Sequence, residues 1–168
     1  MTLAERIDRA ILWVARALAA LGAGAVAVMA ALTVAAVFMR YGLGAPFRFT
    51  EELGGLMLVC SVFLGMPYVL ASHANIRVTL ASDRARGPLR RMVWVLGQIV
   101  LIAFAAIFFR DALADAQFTQ KLNLKTEVAR IGLAPFVWVM VAAVGLVGVI
   151  GAWQALRPPP EKPEGPHP

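Results

Sequence analysis

The sequence predicts an all-α polytopic membrane protein: four transmembrane helices with both termini on the cytoplasmic side. Three observations carry that expectation. The 168-residue chain is 60% hydrophobic and only 15% charged, against about 25% charged in an average soluble domain. A single core of that size cannot hide so much apolar surface from water, which excludes a soluble enzyme. The apolar residues fall into four runs, Ala17–Met39, Leu53–Leu70, Met92–Phe109 and Leu133–Trp153, each near the roughly 20 residues that cross a hydrocarbon layer about 30 Å thick. The runs are continuous rather than alternating, and an open sheet would leave edge groups unpaired in lipid, so each reads as a helix. With the amino terminus inside, ten basic residues lie on the cytoplasmic side: Arg6, Arg9, Arg16, Arg77, Arg84, Arg86, Arg90, Arg91, Arg157 and Lys162. Six lie opposite: Arg40, Arg48, Arg110, Lys121, Lys125 and Arg130. That asymmetry sets the N-in, C-in orientation.

The first run is too long for the roughly 7 to 15 residue core of a secretory signal, and Arg40-Tyr41 follows it without a small-residue cleavage site, so it reads as a retained helix. Gly42-Leu43-Gly44-Ala45-Pro46 then turns the chain, and Thr50 is placed to cap the second helix, whose first turn carries Glu51 and Glu52 at its positive end. Gly65-Met66-Pro67 predicts a local bend near the end of that helix. A short basic loop with Gly87-Pro88 precedes the third run. Beyond Phe109 the apolar residues Phe109, Ala112, Leu113 and Ala116 keep helical spacing among polar neighbours. They predict an amphipathic extension that either continues the third helix or lies at the membrane surface. Asn123 to Glu127 reads as a cap region, and Ala134-Pro135 opens the last helix. The four-helix domain ends near residue 156, and residues 157–168, with six prolines, read as a disordered cytoplasmic tail.

Chemistry is sparse along the chain. No acid lies well inside a run, the two histidines His73 and His167 are far apart, and Cys60 is alone in an apolar stretch. Catalytic, metal-binding and cofactor-binding residues are therefore all expected to be absent. Phosphate-loop and dinucleotide signatures are missing, as is any nucleic-acid platform. Small residues dominate instead: Gly22, Ala23, Gly24 and Ala25 in the first run, Gly54, Gly55, Ser61 and Gly65 in the second, and Gly145, Gly148 and Gly151 in the fourth. They predict close helix packing, within the chain or against a partner. Glu51 and Glu52 are placed for interfacial anchoring or for docking a partner, while His73, Asn75 and Arg77 are placed to end the second helix near lipid head groups.

Taken together, Arg40-Tyr41 at the end of the first run, Phe47, Thr50-Glu51-Glu52 before the second, Gly65 within it and the His73–Val78 segment after it resemble the small membrane subunit of TRAP transporters, the DctQ-like family. The resemblance covers most of residues 11–156. It implies a noncatalytic subunit that scaffolds or anchors a large permease, which would move an organic acid delivered by a periplasmic binding protein in symport with sodium. On that resemblance the partners are the large permease subunit, the binding protein and membrane lipids, and the sodium gradient is used by the large subunit. The location implied is the bacterial inner membrane. Arg40, Tyr41, Glu51, Glu52, Gly65, His73, Asn75 and Arg77 take assembly or interface roles. The commonest family pattern places a histidine directly before Ile, then a basic or small residue, Val and Asp. Here Asn75 precedes Ile76 and Thr79 follows Val78. The alternatives are an unrelated helical membrane scaffold and an autonomous small transporter.

Overall fold

A computed structural model describes residues 3–45, 47–72 and 88–156. Four helices carry most of them: α1 Leu3–Gly42, α2 Thr50–Ala71, α3 Pro88–Lys121 and α4 Ala134–Ala155. All four are long and apolar enough to cross a membrane. Those of 22 residues, α2 and α4, are about 33 Å long at the usual rise and match a bilayer core. The 40 residues of α1 and the 34 of α3 exceed it.

The extensive packing runs α1 on α2, α2 on α4 and α4 on α3. Thus α4 lies between α2 and α3, while α1 and α3 form the two flanks. The side of α1 turned to α2 has a regular spacing. From Asp8, the less exposed positions recur as Ile11, Ala15, Leu18, Gly22, Ala25, Met29, Leu32, Ala36 and Met39. Alternating steps of three and four make the narrow seam of a left-handed helix pair. Most of the remaining surface of α1 is exposed and apolar, including Leu21, Val28, Val34 and Phe38.

Glycines set the closest approaches. A methyl added at Gly22 would stand 3.0 Å from the Ser61 carbonyl oxygen and 3.3 Å from Leu64 Cβ, and Gly54 faces Met29. Between α3 and α4, Gly151 lies against Leu101, Gly148 against Ala105 and Gly145 against Phe109. Val141 then joins Ala112 and Ala116 in a small core completed by Phe108, Leu113, Val137 and Met140. The expected use of small residues is therefore met at these positions, whereas Gly24, Gly55 and Gly65 have nothing within 4 Å of an added methyl. Phe108 stacks on Phe63 of α2 at 5.9 Å, tying α3 to α2 near mid-height.

The helix ends settle one open alternative and differ from the sequence expectation in two places. The amphipathic extension is a direct continuation of α3, because Ala112, Ala116 and Thr119 find a buried seat on the α4 side. Thr50 does not cap α2. It is already helical, its hydroxyl donates to the Phe47 carbonyl at 3.4 Å, and Phe49 occupies the cap position without a side-chain bond. Asn123 to Glu127 does not cap α4 either: that helix starts after Leu133 with a proline in its first turn. Instead Asn123, at φ 48°, closes α3. The Leu124 N–H reaches back to Thr119 O at 3.1 Å, and the Asn123 N–H to Gln120 O at 3.3 Å. These paired bonds with a left-handed residue form a Schellman cap, and asparagine is one of the few side chains tolerant of that backbone. Helix α2 continues through Pro67, which is buried. The residues His73, Asn75 and Arg77, the basic loop and the proline-rich tail lie outside the described residues.

Candidate functional site

Two polar clasps hold the block at its opposite ends, and both come from side chains that an apolar helix would otherwise lack. At the end away from the termini, α3 and α4 are joined by a small hairpin. Lys125 and Gly132 form an antiparallel bridge, the Thr126 N–H donates to Ile131 O at 2.9 Å, and the Leu133 N–H to Leu124 O at 3.0 Å. Arg130 takes a left-handed φ of 54° at its tip. The tip is gripped by Glu52 from the first turn of α2: its carboxylate oxygens accept the N–H groups of Val128 and Ala129, both at 2.8 Å. Glu52 stands ahead of the apolar segment Leu53–Leu70. The Ala129 N–H, then the Val128 N–H and the Thr126 hydroxyl, hold its carboxyl below the ordinary carboxylate value, because each donor favours the charged form.

At the end carrying the termini, the Trp153 indole N–H donates to Asp8 Oδ1 at 2.8 Å, joining α4 to α1 across 145 residues of chain. One residue on, the buried Gln154 amide donates to the Leu70 carbonyl at 2.8 Å. That carbonyl sits in the last turn of α2, where the Ser72 N–H also turns toward it, and Gln154 adds a side-chain donor from α4. Gln98 of α3 is equally buried, at 3% exposure, and its Oε1 has no partner among the described residues. Sequence reasoning singled out neither glutamine nor Asp8. Gln154 directly follows the last apolar run and Gln98 lies inside the third, and a lone amide in such a place is the signal that marks them, whereas Asp8 stands among Glu5, Arg6 and Arg9 and carries none.

The residues expected to serve assembly separate. Glu52 is committed to the hairpin, while Glu51 beside it is exposed. Arg40 and Tyr41 are exposed on the last turn of α1, the latter by 81%, next to the exposed and mutually packed Phe47 and Phe49. Such aromatic and basic residues at a helix end suit a membrane interface. Gly65 is half-buried with open space above it. Nothing brings Arg40, Glu51, Glu52 and Gly65 into one pocket. Among the described residues, no group of three or more His, Cys, Asp or Glu is gathered to hold a metal ion. The arrangement is a braced helical block with large exposed apolar flanks.

No curated protein and no solved structure matches the chain. A family model does: that of tripartite ATP-independent periplasmic transporters, DctQ component, over residues 29–158. That stretch takes in the end of α1, all of α2, α3 and α4, and both clasps apart from Asp8. With four membrane-crossing helices in the expected order and more than half of its length matched, the chain belongs to the DctQ family, the small inner-membrane component of TRAP transporters.

Proposed function

We propose that the protein is a noncatalytic brace for a large permease subunit, holding it in the membrane while it takes up an organic acid from a periplasmic binding protein. In this reading sodium drives uptake through the large subunit. The termini face the cytoplasm, and the Glu52 hairpin faces the periplasm. The observation that carries the reading is the way the block spends its polar groups. The clasps use Glu52, Asp8, Trp153 and Gln154 to fix helices to one another. Large apolar surfaces on α1 and α3 remain exposed. A rigid body with uncovered apolar flanks suits a subunit that works against lipid and another membrane protein.

The test is purification in mild detergent followed by reconstitution. A large multispan subunit should copurify with the chain. Vesicles holding both should take up solute only with the binding protein and a sodium gradient, and uptake should stop when potassium replaces sodium. Vesicles holding the small chain alone should show no saturable uptake, and saturable uptake there would overturn the proposal.

A further inference from the structure

The side of α3 that faces away from α4 changes chemistry halfway along. Toward the termini it exposes Leu96, Val100, Phe104 and Ile107. Beyond Phe109 the same exposed side carries Arg110, Asp111, Ala114 and Asp115. The register with α4 fixes the depth of these groups. Phe109 lies at Gly145, Ala112 and Ala116 pack with Val141, and Gln120 accepts the Trp138 indole N–H at 2.9 Å. Arg110 to Asp115 are therefore level with the α4 segment from Trp138 to Gly145, which has no charged residue. Two carboxylates and a guanidinium thus stand on an exposed face at the height of an apolar neighbour.

Lipid cannot cover such a face. An arginine can extend its stem toward the head groups, but aspartate has no stem to extend. Asp111 and Asp115 are one turn apart on the same side, so each also raises the cost of the other. The exposed flank of α1, by contrast, is apolar at Leu21, Val28 and Val34 and suits acyl chains. We infer that the outer face of α3 around Asp111, Ala114 and Asp115 is the surface covered by the large permease subunit. This rests on the reading of the chain as an assembly subunit, and it assigns the two flanks opposite roles: α1 meets lipid and α3 meets protein. The chemistry required of the partner is a transmembrane surface offering a cation or several hydrogen-bond donors, because the stripe holds two acids against one base.

A photo-crosslinking benzoylphenylalanine placed at Ala114, or at Val28 as control, tests this in the intact complex. Position 114 should give an adduct with the large subunit and position 28 none. The double variant Asp111→Asn with Asp115→Asn should recover about tenfold less large subunit, equivalent to about 1.4 kcal/mol, while the isolated chain keeps its melting temperature. An adduct between two copies of this chain, no protein adduct from position 114, or undiminished recovery with the double variant overturns the inference. Copurification of the large subunit with crosslinks only from position 28 keeps the assembly reading and overturns the placement. Failure of the unmodified chain to recover any large subunit overturns both.

Discussion

Glu51 and Glu52 stand side by side in sequence yet do different work, and the difference is testable residue by residue. Glu52 is bonded to two main-chain N–H groups. Its folded-state carboxyl is held below the ordinary value, so the clasp stabilises the fold fully above the unfolded-state range and loses that contribution as pH falls through the lowered folded value. Glu52→Gln should therefore melt below the unmodified chain at neutral pH, and the gap should close in acid. A gap that persisted in acid would show that the charge is not what holds the hairpin. Glu51→Ala should leave melting unchanged, which makes it the cleaner probe of partner contact. The two buried glutamines form a second contrast. Gln154→Leu removes the side-chain donor to the Leu70 carbonyl and should cost about 0.5–1.5 kcal/mol, whereas Gln98→Leu removes an acceptor without a described partner and should be neutral or stabilising. Melting of each variant in detergent checks both signs.

Among the elements, α1 shows how much a fully apolar helix conceals. Its existence was legible from the unbroken run Ala17–Met39, because lipid-facing and protein-facing sides are both hydrophobic. For the same reason no polar residues marked which stripe meets α2, and the three-four seam became visible only from burial. Glycine spacing alone did not separate the contact positions from the open ones. Gly22→Ala pushes a methyl to 3.0 Å of main-chain oxygen and 3.3 Å of Leu64 Cβ, where a rigid neighbour must shift. It should destabilise by about 1–3 kcal/mol. Gly24→Ala meets nothing and should stabilise by up to about 1 kcal/mol through helix propensity. Equal effects at the two positions would contradict the seam. The extension of α3 was half legible: the spacing of Phe109, Ala112, Leu113 and Ala116 announced a helix face. Its seat lay on a segment later in the chain, which periodicity cannot identify. The failure of Thr50 as a cap has a local cause: the helix already includes Thr50 and leaves Phe49, which has no side-chain acceptor, at the cap.

For the whole molecule, the number and order of helices followed from composition, while the clasps did not. Glu52 meets a loop 76 and 77 residues away, and Trp153 meets Asp8 from 145 residues away, separations that no motif spans. The clasps place the termini at one end and the hairpin at the other, so orientation reduces to a single choice of side. In a chain with Cys60→Ala, a thiol introduced by Lys125→Cys should react with an impermeant maleimide in cells whose outer membrane has been permeabilised. One introduced by Arg9→Cys should react only after the inner membrane is opened. The reverse pattern would turn the protein over.

The position of α4 between α2 and α3 has a consequence in time. It is the last of these four helices to leave the ribosome, and both of its neighbours precede it into the membrane. Until it arrives, Ala112 and Ala116 of α3 have no seat, and among the described residues the α1–α2 hairpin meets the α3 segment through the Phe63–Phe108 stack and the Glu52 grip on Val128 and Ala129. A nascent chain halted before Ala134 holds both flanks and the Glu52 grip but lacks the helix that packs between them. The 22 residues of α4 supply that packing.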